Sequence, residues 1–278
     1  MSKTIVIQSN NANKKAGKNP KQGKTLKIET FIISYPKSGR TWLRSILGKY
    51  LQLKYQLPEQ VMLKTEQATH LSNLPIASFE HDGSAMLEKK TSQELNYSRQ
   101  KYAESNVILL GRNLKDTLVS AYFQATKRIN VFDGSLSEFI RTDQFGIEKL
   151  LAFYDVWNQN KTIPKQFSFV SYENLHQDPI NATRKILAFM GEKNIDEAAL
   201  QSTIDYCAFD NMQKLEKQNA FGSNIMKAGD SADPESFKVR KGKVGGYTEY
   251  LSEEDEAYID QKIQNAGFSF DLFNELET

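Results

Sequence analysis

Three clusters of cations, small hydroxyls and glycines stand where a chain can grip an anion. The first is Ser34-Tyr35-Pro36-Lys37-Ser38-Gly39-Arg40-Thr41-Trp42. It joins the apolar run Phe31, Ile32, Ile33 to a stretch whose apolar residues recur every three to four positions, the mark of a buried strand turning into an amphipathic helix. Such a joint aims backbone N–H groups and the positive end of a helix dipole at one point, which suits an oxyanion such as phosphate. Lys37 and Arg40 add charge, Ser38 and Thr41 add hydroxyl donors, and Gly39 lets the backbone approach a ligand closely. The second cluster runs from Gly111 to Ser120 behind another buried strand, Asn106 to Leu110. Arg112 can hold a phosphate through two parallel N–H bonds, and Ser120, on the helix that follows, can face the same anion. The third, Val239 to Gly246, is a basic glycine-rich loop with Arg240, Lys241 and Gly242 at its centre, and suits a second phosphate.

A base is the next requirement. The chain has three histidines. His176 sits in a polar stretch and reads as a surface residue, and His70 lies away from any strand end. His81 directly follows the apolar strand Ile76 to Glu80. In open α/β sheets, catalytic groups gather just past the carboxyl ends of strands, so His81 is the candidate. No Cys, His or carboxylate cluster has metal spacing, and no metal is expected.

Together these motifs resemble the soluble, cytosolic-type sulfotransferase family, in a bacterial-like form. That family carries Tyr-Pro-Lys-Ser-Gly-Thr-Thr-Trp between its first strand and first helix, and eight residues here match with one change, Arg40 for Thr. Its Arg-Asn-Pro-Lys-Asp signature, with a later Ser, is similar to Arg112 through Ser120, and its Arg-Lys-Gly to Arg240, Lys241 and Gly242. The resemblance implies a donor, 3′-phosphoadenosine 5′-phosphosulfate (PAPS), and a product, 3′,5′-ADP. It implies that Lys37, Ser38, Gly39, Arg40 and Thr41 hold the 5′ side. Arg112, Ser120, Arg240, Lys241 and Gly242 would hold the 3′-phosphate. Trp42 and Phe209 would stack on adenine, with Tyr172 facing it. His81 would be the catalytic base, assisted by Lys37, and the acceptor a small molecule with a hydroxyl or amine. Two departures stand out: Phe79 occupies the place of a family lysine two residues before the histidine, and Gly245-Gly246-Tyr247 replaces Gly-Asp-Trp. Without that lysine, Lys37 must carry more of its work, or another cation substitutes.

The elements that must position these residues follow from periodicity. Strand-length apolar runs alternate with helical patterns, which predicts an α/β fold: a central parallel sheet flanked by helices, P-loop-like at its first turn. Strands are expected near Lys27 to Ser34, Pro75 to Glu80, Asn106 to Leu110 and Phe167 to Tyr172. Helices are expected through Trp42 to Leu51, from about Asp116, through Ile147 to Trp157, from Pro179 to Gly191, and from Asp196 to Cys207. Asp210 to Tyr250 shows little periodicity and reads as a long functional loop. Ser252 with Asp255 resembles a capping box opening the last helix.

Composition sets the outer limits. The 278 residues include 36 Lys and Arg against 34 Asp and Glu, and a net charge of +2 argues against bulk nucleic-acid binding. The charge is uneven, however. Residues 1–26 form a lysine-rich arm, read as disordered, ahead of a single domain over 27–278. One cysteine forbids an internal disulfide and points to a reducing, cytoplasmic setting. No apolar run approaches the about 18 residues of a membrane span, so no membrane partner is expected. The family's rarer dimer motif is missing and leaves the oligomeric state open. The acceptor pocket is expected from Met62 to Ser84, Ala125 to Ile147 and Phe221 to Phe237. Two other readings remain. A P-loop phosphotransferase would need Walker spacing, which the first cluster lacks, and a magnesium-binding acid. A non-catalytic protein that binds PAPS or 3′,5′-ADP would keep the pocket without the chemistry.

Overall fold

Strands form where short apolar runs lie between turn residues. The computed structural model describes residues 4–6, 25–227, 229–230 and 233–273. Its main sheet has four parallel strands: β3 (Thr30–Ser34), β4 (Ala77–Glu80), β5 (Asn106–Gly111) and β6 (Gln166–Ser171), in the order β4-β3-β5-β6. A separate antiparallel pair joins β1 (Thr4–Val6) to β2 (Thr25–Lys27), and residues 7–24 of the basic arm lie outside the described residues.

Both faces of the sheet are covered, and its central strands β3 and β5 have continuous apolar centres, while β4 and β6 carry Ser78 and Ser168 between apolar neighbours. Phe31, Ile33, Val107 and Leu109 point into one core, against α3 (Leu114–Lys127), α5 (Ile147–Asn160) and α10 (Glu253–Asn265). Ile32, Ile108, Leu110 and Phe79 point into the other, against α1 (Arg40–Tyr55), α2 (Thr65–Leu71), α7 (Pro179–Phe189) and α8 (Glu197–Tyr206). The chain runs from β3 to β4 on one side, then returns to β5 on the other. The strand order therefore reverses between β3 and β5, and the crevice beyond their carboxyl ends is where such sheets bind ligands.

Three expectations need correction. Asp210 to Tyr250 is not loop throughout: α9 (Phe209–Lys217) opens it, and short 3₁₀ turns follow. The inward face of α9 carries Met212 and Leu215 beside a buried carboxylate, Glu216, and the helix is otherwise so polar that its few apolar residues do not stand out in the sequence. The capping box of α10 is half made. The Ser252 side chain accepts from the Asp255 N–H, but the Asp255 carboxylate serves Arg141 and Ser137 instead. The helix expected near Asp116 begins two residues earlier, at Leu114, because the Asn113 side chain caps it.

Candidate active site

A cavity of 630 Å³ opens at the carboxyl edge of the sheet. Lys37, Gly39, Arg40, Thr41, Trp42, His81, Arg112, Ser120, Tyr172, Phe209, Arg240, Lys241 and Gly242 all line it. Ser38 does not: its side chain is buried behind the loop beside the Tyr154 phenol.

The loop after β3 turns through two left-handed residues, Lys37 (φ 74°) and Gly39 (φ 91°). Gly39 is the N-cap of α1 and supplies no side-chain cap, and the first intrahelical bond is Leu43 N–H to Gly39 O. The N–H groups of Arg40, Thr41 and Trp42 thus have no intrahelical acceptor, the arrangement an anion needs. A Cβ on Gly39 would lie 2.6 Å from the Tyr172 ring, so glycine is required both by φ and by space. The Lys37 ammonium is 3.5 Å from the Gln124 side-chain oxygen. Burial pushes its pKa down to about 7, Arg128, Lys238 and Arg112 add to the shift, and Glu216 opposes it.

Arg112 ties the three clusters together. Its guanidinium donates to the Lys37 carbonyl at 3.1 Å and the Lys243 carbonyl at 3.4 Å, and covers the Tyr172 ring at 4.5 Å. Asp116, buried at the start of α3, completes the joint. Its carboxylate accepts from the N–H groups of Gly245 (2.8 Å) and Tyr247 (3.0 Å), anchoring the third cluster to the second. Arg240 donates to Glu235 and to the Tyr250 hydroxyl, while Lys241 and Lys243 both pair with Glu249.

At the other end of the cavity, aromatic rings gather. The Trp42 indole donates to the Cys207 carbonyl at 2.9 Å and packs edge-on against Tyr172 at 5.6 Å. Phe209, at the start of α9, presses on Gly242, where a Cβ would fall 2.2 Å from the ring. His176, expected at the surface, is exposed but belongs to the cavity wall. It lies 6.3 Å from Trp42 and donates through Nε2 to the Gly242 carbonyl at 3.0 Å.

His81 sits one residue beyond β4, opposite Ser34 in the parallel register. Its Nδ1 is 2.9 Å from the Ser34 carbonyl oxygen. Burial pushes its pKa down to about 3, and the Arg40 charge is the next largest cause. Behind it the chain makes a left-handed turn at Asp82 and Gly83. A buried ion pair pins that turn, Asp82 to Arg99 at 2.6 Å, and the Tyr102 hydroxyl donates to the same carboxylate at 2.8 Å. His70 lies on α2, exposed and away from the cavity.

Sequence reasoning missed Lys238, Gln124 and Glu216. Lys238 lines the cavity, and burial with Arg128 and Arg40 brings its pKa down to about 8. Glu216 is the buried counter-charge: it accepts from the N–H groups of Lys238 and Val239 and faces Arg128 at 3.6 Å. These residues carry no shared motif, and only the fold brings them together. Of the three stretches expected to shape an acceptor pocket, the first two contribute His81 and Ile129. Among the described residues of Phe221 to Phe237 none lines the cavity; Ala85, Met86 and Leu87, just past His81, supply its apolar wall instead. Among the described residues no group of three or more potential ligands is arranged for a metal ion, and no helix is long and apolar enough to cross a membrane.

Comparison with known proteins agrees with this architecture. The sulfotransferase domain family matches residues 27–267. The chain is 24% identical over 254 residues to a flavonol 3-sulfotransferase of Flaveria bidentis, covering 84% of this chain and 80% of that protein. It is 26% identical over 286 residues to cytosolic sulfotransferase 5 of Arabidopsis thaliana, covering 87% and 81%. In fold it is similar to a mouse sulfotransferase crystallised with PAP (TM-score 0.60, 20% identity, 90% and 87% covered). It is also similar to a retinol dehydratase in complex with androsterone and the inactive cofactor PAP (TM-score 0.58, 15% identity, 88% and 87% covered). The chain belongs to the sulfotransferase family and is a PAPS-dependent sulfotransferase with that family's α/β fold.

Proposed function

We propose that the cavity holds PAPS between the loop after β3 and the Arg112, Ser120 and Arg240–Gly242 surfaces, and that His81 is the base that activates a small acceptor. The observation that carries the reading is the 2.9 Å contact of His81 Nδ1 with the Ser34 carbonyl. A carbonyl only accepts, so Nδ1 bears the proton and Nε2 keeps its lone pair for the cavity.

PAPS supplies a sulfuryl group on a good leaving group, a nucleotide phosphate. Nε2 of His81 takes the proton from an acceptor hydroxyl or amine as that atom bonds to sulfur. Such general-base help is worth about 10²–10⁴ in rate. The bond from sulfur to the bridging oxygen breaks, and Lys37 with the first-turn N–H groups of α1 stabilises the charge arriving on the 5′-phosphate. Arg112, Ser120, Arg240, Lys241 and Gly242 hold the 3′-phosphate, while Trp42, Tyr172 and Phe209 hold adenine.

The acceptor is read as a small, largely apolar molecule, because Ala85, Met86, Leu87 and Ile129 wall the cavity beside the base. Flavonol sulfotransferases among the relatives support that size class. A nucleic-acid or membrane partner is not part of the reading, and a cytoplasmic setting is, as for relatives named cytosolic. Residues 27–278 are read as one catalytic domain.

The test is a calorimetric titration with 3′,5′-ADP, together with transfer from PAPS to a panel of phenols, alcohols and amines. Binding that disappears on charge reversal at Lys37 or Arg112, with transfer persisting in excess chelator, is the expected outcome. Association untouched by either reversal would defeat the assignment. Tight 3′,5′-ADP binding with no transfer to any acceptor would favour a sensor over an enzyme.

A further inference from the structure

Seven cations line the cavity: Lys37, Arg40, Arg112, Lys238, Arg240, Lys241 and Lys243. Six have a partner. Lys37 reaches Gln124, Arg112 donates to two backbone carbonyls, and Lys238 donates to the Ile225 carbonyl. Arg240, Lys241 and Lys243 are paired with Glu235 and Glu249. The Arg40 guanidinium has no hydrogen-bond acceptor and no carboxylate partner among the described residues, and the charge that acts on it is that of Arg44. A half-buried guanidinium held without a partner carries a desolvation penalty that an anionic ligand would offset.

Its place tells which anion. Arg40 is the first residue of α1, directly after Gly39 on the turn that presents free N–H groups. His81 faces the same space from the end of the neighbouring strand. Arg40 and His81 line the same cavity, and after burial the Arg40 charge is the next largest cause of the lowered His81 pKa. One helical turn on, Arg44 lies 4.5 Å over the ring of Phe79, the residue two before His81, and covers the strand position that presents no charge of its own.

We infer that Arg40 is a catalytic cation of this enzyme, meeting the oxygens of the sulfuryl group in transit between the 5′-phosphate and the acceptor. It stands in for the charge that Phe79 does not supply. The step remains balanced. The acceptor oxygen or nitrogen bonds to sulfur, the bond to the bridging oxygen breaks, the acceptor proton goes to His81 Nε2, and 3′,5′-ADP leaves with the bond's electron pair. Arg40 exchanges no proton in it. The inference rests on the reading of the cavity as the PAPS site.

The experiment compares Arg40→Met and Arg40→Lys with the parent enzyme in three quantities: affinity for 3′,5′-ADP, affinity for PAPS without acceptor, and kcat. Because 3′,5′-ADP lacks the sulfuryl group, it reports folding and the nucleotide site but not the contact proposed. Arg40→Met is expected to bind 3′,5′-ADP within a few-fold of the parent, to bind PAPS distinctly less well, and to lose about 10²–10³ in kcat, the usual effect of deleting one donor to a developing oxyanion. Arg40→Lys recovers part of kcat. A kcat for Arg40→Met within a few-fold of the parent overturns the inference. So does an equal loss of affinity for both ligands, which would make Arg40 a phosphate contact. A parent enzyme that binds no 3′,5′-ADP overturns the site reading and Arg40's role with it, whereas normal binding with unaltered kcat removes Arg40 alone.

Discussion

His81 Nδ1 and the Ser34 carbonyl oxygen lie 2.9 Å apart, one at the end of β4 and the other at the end of β3. The two strands are paired in parallel, with Ile33 opposite Glu80, so the contact spans adjacent strand ends. Two consequences follow from one hydrogen bond. It fixes the imidazole tautomer, and it ties the base to the strand from which the anion-binding loop springs. The separation of His81 from the loop after β3 is therefore set by the pairing of β3 with β4.

The base role proposed for His81 predicts that its loss is felt in turnover and not in binding. His81→Ala is expected to lower kcat by about 10²–10⁴. The same variant leaves the calorimetric affinity for 3′,5′-ADP within a few-fold of the parent, because no phosphate contact runs through the ring. Nucleotide affinity that falls as far as kcat would remove the base role.

Nucleotide binding should take up protons above neutrality. Burial and neighbouring cations hold Lys37 near 7, and Lys238 near 8, in the ligand-free chain. An anionic nucleotide favours the charged forms and raises both values. Between the free and bound pKa, then, binding adds protons, and affinity falls as pH rises from about 7 toward the ordinary lysine range. Titrations of 3′,5′-ADP at pH 8 in buffers of different ionisation heat measure that uptake, and Lys37→Met should reduce it. Heats independent of the buffer would contradict the shifted lysines.

The turn behind the base is held by charge. Asp82 and Arg99 are both nearly inaccessible, with side chains 2% and 1% exposed. Asp82→Asn keeps the shape but leaves the Arg99 cation without its counter-ion, and stranding one partner of a buried pair costs about 3–5 kcal/mol. Denaturant unfolding measures the loss. A double variant, Asp82→Asn with Arg99→Met, should recover part of it, since no charge then remains stranded. Equal midpoints for parent and Asp82→Asn would mean that the pair does not support the turn.

Much of this was legible in the chain because the relevant residues are contiguous. Lys37 to Trp42 run from the turn after β3 into the first turn of α1, and a joint bounded by Phe31–Ile33 on one side and a three-to-four periodicity on the other reads as strand, turn and helix. The central strands β3 and β5 were readable for the same reason: burial on both faces makes each a short, largely apolar run. What escaped reading is long-range. Glu216 reaches Arg128, Lys238 and Val239 from another element, and its own helix carries few apolar residues to announce it. His176 looked polar and ordinary because nothing nearby in sequence reveals that the Gly242 carbonyl waits for it. Arg99, far along the chain from Asp82, is invisible as a partner until the turn is built.

Glycines of the third cluster offer a sharper probe of the adenine end than its charges do. Gly242 and Gly245 both have positive φ, 59° and 74°, so alanine strains either backbone, at about 1–3 kcal/mol. Their surroundings differ. A Cβ at Gly242 would fall 2.2 Å from the Phe209 ring, whereas at Gly245 nothing lies within 4 Å. Gly242→Ala must therefore displace Phe209 as well as bend the loop. Its affinity for 3′,5′-ADP is expected to fall on the order of tenfold or more below that of Gly245→Ala, a difference of about 1.4 kcal/mol. Thermal midpoints of the two variants should stay close to each other, since neither glycine packs in the sheet core. Calorimetric titration of both variants decides the matter: equal affinities would show that the position of Phe209 does not matter to the nucleotide, and would take that ring out of the adenine site.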